Sequence, residues 1–336
     1  MHCDIIMAVW NQLTFTRDCI ESIFRNTGGD YRLIIIDNAS GDETREYLEG
    51  VARGNPKVQL IRNEENAGFI KAMNQGMSAS KAPYVCLLNN DTLVMKDWLK
   101  IMIDIASLHK DIGVVNPSSN NLGQRPLPGE PVELYAEGLM RDRDKFVELG
   151  AAIGFAMLIK REVIEHIGMF DEIYGMGNFE DTDFSRRAVK EGYKCVRACG
   201  AYVYHRENTS FKVMKTFDED FRRNREIFEC RWGKPRRIAY VIDSGDANTI
   251  KRLEAESIKL ARQGNWVWYF LKEHLELPSH SNIISIMVGS SNFLPKTIFN
   301  ILKKKKKFSD IFVGDEKTAR ILNWLDFIHK AKIGYY

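Results

Sequence analysis

The chain has 336 residues, 48 Lys and Arg against 45 Asp and Glu, and a formal net charge of +3. That length usually houses two domains, each large enough for a core, and the near balance of charge gives no electrostatic case for a nucleic-acid partner. Six cysteines without a CxxC pair suit reduced thiols in a cytoplasmic protein, and no apolar run approaches the ~18 residues of a membrane span. No signal peptide opens the chain, so a soluble or peripheral protein is expected.

Strand and helix alternate from the start. Asp4 to Val9 reads as a strand and Trp10-Asn11-Gln12 as a polar turn. Phe15 to Asn26 reads as a helix capped by Thr14 or Thr16. Tyr31 to Ile36 is a second strand, followed by Asp37-Asn38-Ala39-Ser40 and a helix capped by Ser40 or Asp42. Lys57 to Ile61, a helix ending near Ser78, and Pro83 to Leu88 continue the pattern. The last strand stops at Asn89-Asn90-Asp91-Thr92. Such alternation with short connections predicts a parallel sheet with helices on both faces. Three polar strand ends, at 10–12, 37–40 and 89–92, then share the ligand-binding edge of the sheet. No GxGxxG is present, which argues against a dinucleotide fold.

Trp98 to Leu108 reads as an amphipathic helix and Ile112 to Val115 as a strand. Pro117 to Glu133 dissolves into Pro, Gly, Asn and Ser, a long loop assigned to the acceptor side or to a surface excursion. Gly150 to Ile159 reads as a buried strand and Arg161 to Ile167 as a helix. Another helix runs from Glu180 to about Glu191, closed by Gly192. Acids in its first turn suit the helix dipole. Tyr193 to Val196 and Ala201 to Tyr204 read as strands, and Val213 to Trp232 as a charged helix.

The series Asp37-Asn38-Ala39-Ser40, Asn66-Ala67-Gly68-Phe69 with Asn74 and Gly76, then Asn89-Asn90-Asp91-Thr92, resembles glycosyltransferase family 2, enzymes of the GT-A fold that use nucleotide-diphosphate sugars. The phrase Gly168-Met169-Phe170-Asp171-Glu172, then Glu180-Asp181-Thr182-Asp183 and a strand ending in His205, resembles the second half of that domain. The resemblance implies a mixed, mostly parallel α/β sheet flanked by helices. It implies that Asp37 contacts the base, that Asn66 and Gly68 frame base and ribose, and that Asp91 is the metal-binding acid of a DxD-type motif. It implies Asp181 as general base, with Glu180 helping to orient the acceptor. Val9, Asn11, Asn38, Asn74, Asn89 and Asn90 complete the candidate donor-binding set. Asn89 stands where the family often has an acid, leaving one carboxylate for Mn²⁺ or Mg²⁺, which suffices when substrate phosphates complete the shell. His205 is the second candidate ligand, a nitrogen that suits Mn²⁺ better than Mg²⁺.

The implied reaction is inverting transfer from a UDP- or dTDP-sugar, of hexosyl or rhamnosyl type, to a glycan or lipid-linked glycan of a cell-surface polysaccharide. A nucleotidyltransferase is the rival enzyme, though Trp10-Asn11-Gln12 lacks the Gly and Lys of a triphosphate loop. A non-catalytic binding or scaffold protein is the rival from another class, and Asn89 is the residue that keeps it open.

After a linker at 233–235 the alternation restarts. Ile238 to Ile242, Trp266 to Leu271, Ile283 to Val288, Asp310 to Val313 and Lys332 to Tyr335 read as strands, with helices at Thr249 to Gln263 and Lys317 to Phe327. This tail resembles the N-terminal lobe of a GT-B glycosyltransferase, with Ser244-Gly245-Asp246 in place of the usual glycine-rich turn and no second lobe. It is expected to be a lone Rossmann-like module, or a fragment of a longer protein such as a truncated GT-B lobe, in either case without catalysis of its own. The run Lys303 to Lys307 reads as a solvated loop, and also suits peripheral contact with anionic lipid.

Overall fold

The structure is a computed structural model that describes residues 2–206 and 217–336. It divides into two compact units, one made of Met1–Val147 and Ala151–Trp232, the other of Glu148–Gly150 and Gly233–Tyr336. Among the described residues no helix is long and apolar enough to cross a membrane.

The first unit runs β1 (Cys3–Val9), α1 (Leu13–Asn26), β2 (Tyr31–Asp37), α2 (Asp42–Gly54), β3 (Val58–Arg62), α3 (Phe69–Ala79), β4 (Tyr84–Leu88), β5 (Thr92–Val94), α4 (Trp98–Leu108) and β6 (Ile112–Ser118). It continues with α5 (Val132–Leu139), β7 (Phe146–Glu148), β8 (Ala156–Lys160), α6 (Arg161–Ile167), α7 (Glu180–Lys190), β9 (Lys194–His205) and α8 (Phe217–Trp232). The sheet order is β3-β2-β1-β4-β8-β6-β9-β5, with β7 beside β9. The β1–β4 half is parallel, while β8 runs antiparallel to both β4 and β6, and β5 antiparallel to β9. This is the mixed, mostly parallel sheet expected.

Continuous apolar runs explain why the central strands lie inside. Ile5, Met7, Leu33, Ile35, Cys86 and Leu88 are fully buried against Ile20 and Ile23 of α1, and Trp98, Ile101 and Ile105 of α4 join the same core. A fully buried Ile or Leu contributes about 1.5–3 kcal/mol. The one polar atom of the buried Trp98, its indole N–H, donates to Thr27 Oγ1 at 2.9 Å. On α3, a Cβ at Gly76 would run into Ile6 Cγ2, so the closeness of helix to sheet requires glycine there.

Register brings the polar strand ends together. Val9 pairs with Asp37 across β1 and β2, and Ile6 with Leu87 across β1 and β4, so residues 10–12, 37–40 and 89–92 leave the sheet on one edge.

Several local expectations are corrected. Neither Thr14 nor Thr16 caps α1, which begins after Gln12 in a left-handed conformation without a side-chain cap. Gly41, not Ser40 or Asp42, precedes α2; the Ser40 hydroxyl instead accepts from the Asn11 N–H at 2.9 Å. Residues 150–155 are not strand, because β8 begins only at Ala156. The two strands expected between Tyr193 and Tyr204 are one twelve-residue strand, β9. The loop expected at 117–133 is shorter: β6 extends to Ser118, and a short 3-10 turn spans Asn120–Leu122 before α5 begins at Val132. Of the helix expected from Val213, residues 213–216 lie outside the described residues, and the helix is seen from Phe217.

The second unit holds a five-stranded parallel sheet. Its elements are β10 (Arg237–Ile242), α9 (Ala247–Arg262), β11 (Trp266–Leu271), β12 (Ile283–Met287), α10 (Phe293–Leu302), β13 (Asp310–Val313), α11 (Glu316–Trp324), α12 (Asp326–His329) and β14 (Lys332–Tyr335). The order is β12-β11-β10-β13-β14. Helix α10 has no counterpart in the sequence reading; it starts after Asn292 in a left-handed conformation, without a side-chain cap, and carries Pro295 in its first turn.

Candidate active site

Strand β5 pairs with β9 so that Thr92 faces His205. That register sets Asp91, one residue before Thr92, beside the His205 ring: Asp91 Oδ1 is 3.0 Å from His205 Nε2. The imidazole is fixed from three sides. Phe155 stacks on it at 5.2 Å between ring centroids, Asn121 contacts Nδ1 through its side-chain amide, and Asn120 bonds both the N–H and the C=O of His205. An outer partner on the second ring nitrogen fixes tautomer and ring orientation, as metal-binding histidines require. Asn120 and Asn121 were missed in the sequence because they lie in the stretch read as a loop.

His205 lines an open cleft of about 300 Å³ together with Asn89, Asn121, Gly154, Glu180 and Asp181. Three of these residues carry a buried oxygen with no hydrogen-bond partner among the described residues: Asn89 Oδ1, Asn121 Oδ1 and Glu180 Oε2. Leaving a buried oxygen unpaired costs about 1–3 kcal/mol. All three belong to residues that line this cleft, and unpaired buried polar groups in a native fold call for a functional explanation. Among the described residues no group of three His, Cys, Asp or Glu side chains could hold a metal by itself. One carboxylate, one imidazole and nearby amide oxygens nevertheless fit a divalent cation that takes its other ligands from a bound diphosphate.

Helix α7 delivers the acids. Two consecutive non-glycine residues before it, Asn178 at φ 75° and Phe179 at φ 74°, are left-handed. Such strain is costly and is tolerated where it aims something. Asp181 Oδ2 accepts the Gly154 N–H at 2.9 Å, and Oδ1 accepts from the Thr182 N–H and hydroxyl. Burial pushes the Asp181 carboxyl up, and those hydrogen bonds oppose the rise. For Glu180, burial first and then the charge of Asp181 outweigh its backbone hydrogen bonds and push it up to about 8. Burial thus favours the neutral form of both acids, and the charge of Asp181 adds to the rise at Glu180. The third acid of the series, Asp183, is turned away into the fold. It accepts from Tyr174 Oη at 3.3 Å, Arg187 Nε at 2.8 Å, Arg231 Nη1 at 2.9 Å and Trp232 Nε1 at 2.8 Å, which ties α8 to α7.

The candidate donor residues fall into two groups. Asn89 lines the cleft. The others are engaged in holding loops. Asp37 is fully buried, one oxygen accepting the Ser40 N–H at 2.9 Å and the other paired with Arg62. Asn38 donates to Asn66 Oδ1 at 2.6 Å and accepts the Ala67 N–H at 3.0 Å. Asn11 accepts the Gly41 N–H, and Asn90 donates to Thr16 Oγ1. Val9 is buried at the end of β1. Asn74 bonds Phe170 and Glu172, joining α3 to the following half of the domain rather than to the cleft. Gly68 has φ 87°, a left-handed conformation that favours glycine, and it lies against the Met176 side chain. Arg62, half-exposed beside Asp37, was not singled out in the sequence because an arginine after a strand carries no distinctive pattern.

Residues 4–168 match the sequence model described as glycosyl transferase family 2. Over these residues, just under half of the chain, the sequence is similar to glycosyltransferase family 2. The match to EpsJ of Bacillus subtilis, described as an uncharacterized glycosyltransferase, is 26% identical over 61% of this chain and 60% of that protein. The succinoglycan biosynthesis protein ExoO of Rhizobium meliloti is 24% identical over 62% of each chain. The chain thus spans less than two thirds of these curated relatives, and only 27% of a longer Sinorhizobium fredii protein. Among solved structures, S. aureus TarS 1-349 in complex with UDP-GlcNAc aligns with a TM-score of 0.53 at 15% identity, covering 79% of this chain and 74% of that one. That likeness is one of fold, and it agrees with the GT-A-type sheet of the family 2 region.

Proposed function

We propose that the family 2 region is an inverting glycosyltransferase that moves a sugar from a nucleotide-diphosphate donor, UDP or dTDP, to a hydroxyl of a glycan or lipid-linked glycan during surface polysaccharide synthesis. The observation that carries this reading is one cleft lined by His205, Glu180 and Asp181, with Asp91 in contact with the His205 ring. Asp91 and His205 are the side chains that would hold Mn²⁺ or Mg²⁺, and a cation there would stabilise the charge developing on the leaving diphosphate. Asn121 and Phe155 keep the imidazole of His205 turned toward Asp91. Asp181, whose hydrogen bonds favour its ionised form, takes the proton of the acceptor hydroxyl as that oxygen attacks the anomeric carbon from the opposite face. Protonated Glu180 avoids a second negative charge beside the base and can donate to an acceptor oxygen.

Thermal unfolding with UDP, dTDP, GDP and CMP, each with Mn²⁺, Mg²⁺ or EDTA, tests this reading. A ligand at 100 times its dissociation constant adds about 2.7 kcal/mol to the unfolding free energy. Stabilisation by one nucleotide that EDTA abolishes supports metal-assisted donor binding. No shift with any nucleotide favours a binding or scaffold role with a degenerate site. UDP is the first choice, since the fold relative TarS was solved with UDP-GlcNAc.

For the second unit we infer a Rossmann-like module that binds no nucleotide phosphate at α9. The Asp246 carboxylate already accepts the Asn248 and Thr249 N–H groups at 2.9 and 3.0 Å, filling the place an anion would take at that helix N-terminus.

A further inference from the structure

The second unit is charged and apolar in a way that the proposed transfer reaction does not use. Residues 291–336 contain ten Lys and Arg against four Asp and Glu, an excess of six positive charges, whereas the whole chain carries +3. The charge therefore sits at one end of the sequence, and it sits beside exposed aromatic rings.

The layering of the unit shows where those rings point. Ala239, Val241, Trp268, Phe270, Ile311 and Val313 cover one face of the sheet, and they pack with Phe293 and Ile301 of α10 and Ala319 and Leu322 of α11. Helix α9 covers the other face through Leu253. So α10 and α11 form one outer layer, with α12 beside α10. Each helix buries one side and leaves a ring on the other. Phe299 is 65% exposed, Trp324 76% and Phe327 70%. Lys303 to Lys307 follow directly on α10, and the Lys303 ammonium lies over the Phe299 ring at 5.4 Å. On the acidic side, Glu316 is paired with Arg320 at 2.7 Å, which leaves Asp326 as the exposed acid of the layer among the described residues.

We propose that the outer surface of α10, α11 and α12 docks on an anionic lipid bilayer, with Phe299, Trp324 and Phe327 entering the headgroup region and Lys303 to Lys307 on the lipid charges. Aromatic rings prefer that interfacial depth. Basic residues near an anionic surface each gain about a fivefold increase in partitioning. Stable attachment of a peripheral protein takes two signals, and this layer supplies both, an apolar wedge and a polybasic strip. A protein partner would need an acidic and aromatic counter-surface, and a second copy would bring lysines against lysines.

Co-sedimentation of the full chain with phosphatidylcholine vesicles, with and without phosphatidylglycerol, tests the proposal. Binding is expected only to the vesicles with phosphatidylglycerol, weakening as salt rises. Replacing Lys303 to Lys307 by Gln should lower partitioning by about fivefold per lysine until binding is no longer seen. Phe299→Ser, Trp324→Ser and Phe327→Ser together should weaken binding while leaving the unfolding midpoint unchanged, since all three side chains are exposed. Nucleotide-induced stabilisation should be the same in both variants, so this test stands or falls apart from the transferase reading. Equal binding to both vesicle types, no binding to either, or binding unaffected by both sets of substitutions overturns the proposal. So does a concentration-dependent dimer that the aromatic substitutions abolish, which would assign this face to a second copy of the chain.

Discussion

Asp91 Oδ1 lies 3.0 Å from His205 Nε2, although 114 residues separate the two in the chain. The contact exists because the short strand β5 lies antiparallel to the end of β9, with Thr92 opposite His205. The imidazole of this pair lines the cleft, and the pair is the one proposed above to hold a cation.

The first prediction concerns that pair. Asp91→Asn should abolish the Mn²⁺-dependent part of the stabilisation by UDP, about 2.7 kcal/mol at 100 times the dissociation constant. His205→Ala should weaken the Mn²⁺ dependence more than the Mg²⁺ dependence, because Mn²⁺ accepts nitrogen more readily. Thermal unfolding across a metal titration reads both. Full metal-dependent stabilisation in Asp91→Asn would remove Asp91 from the metal site.

Asp181→Asn should lower transfer by about 10²–10⁴-fold, the usual worth of a general base. Nucleotide binding should stay near normal. Product formation from a radiolabelled donor, set beside the thermal shift, separates the two. Loss of both together would assign Asp181 to folding or donor binding.

Glu180 makes stability depend on pH in a stated direction. Its folded pKa of about 8 exceeds the ordinary glutamate value of 4.5, so the folded state binds more protons than the unfolded state between those values. Stability contributed by neutral Glu180 is therefore intact below about pH 4.5 and declines as pH rises through about 8. Glu180→Gln should flatten that decline, unfolding at a higher temperature than the parent at pH 8 and at nearly the same temperature at pH 5. Denaturation curves at the two pH values decide it; an equal shift at both would place the effect in packing rather than ionisation.

Asp183 should behave oppositely. Burial alone would raise its pKa, but hydrogen bonds from Trp232, Arg187 and Arg231 outweigh burial and hold the carboxyl below the usual range. Its stabilisation is present above the unfolded value of 3.8 and is lost as pH falls through the lower folded value. Asp183→Asn should cost roughly 2–3 kcal/mol at neutral pH, the worth of hydrogen bonds to a charged group. The residual transfer of the folded fraction should match that of the parent, and a direct catalytic role would show as lost transfer at full stability.

Much of the fold could be read from local pattern. Strict alternation of apolar strands and amphipathic helices announces an α/β sheet, and helices such as Trp98–Leu108 and Arg161–Ile167 lie where their periodicity puts them. Helix periodicity is local, so it survives without tertiary information. Caps were less legible: Thr14, Thr16, Ser40 and Asp42 all suit an N-cap chemically, yet Thr14, Thr16 and Asp42 fall inside the helices and the Ser40 hydroxyl accepts from Asn11. Helix α10 stayed hidden because nothing at Asn292 signals a start and Pro295 argues for a break, although proline is tolerated in a first turn, where its missing N–H would be unpaired anyway.

The sequence by itself determined which residues end the strands in polar side chains, and so which edge of the sheet gathers the candidate site. It also held the acidic series at 180–183 and the histidine at 205. Only the tertiary structure decided how those groups divide. It placed Asn121 against His205 from a stretch that reads as loop, turned Asp183 inward to Arg187, Arg231 and Trp232, and buried Asp37 against Arg62. The physical reason is that a side chain's role depends on what desolvates it and what donates to it. Both are set by strand register and by contacts between residues far apart in the chain, and neither is written in the spacing of the residues themselves.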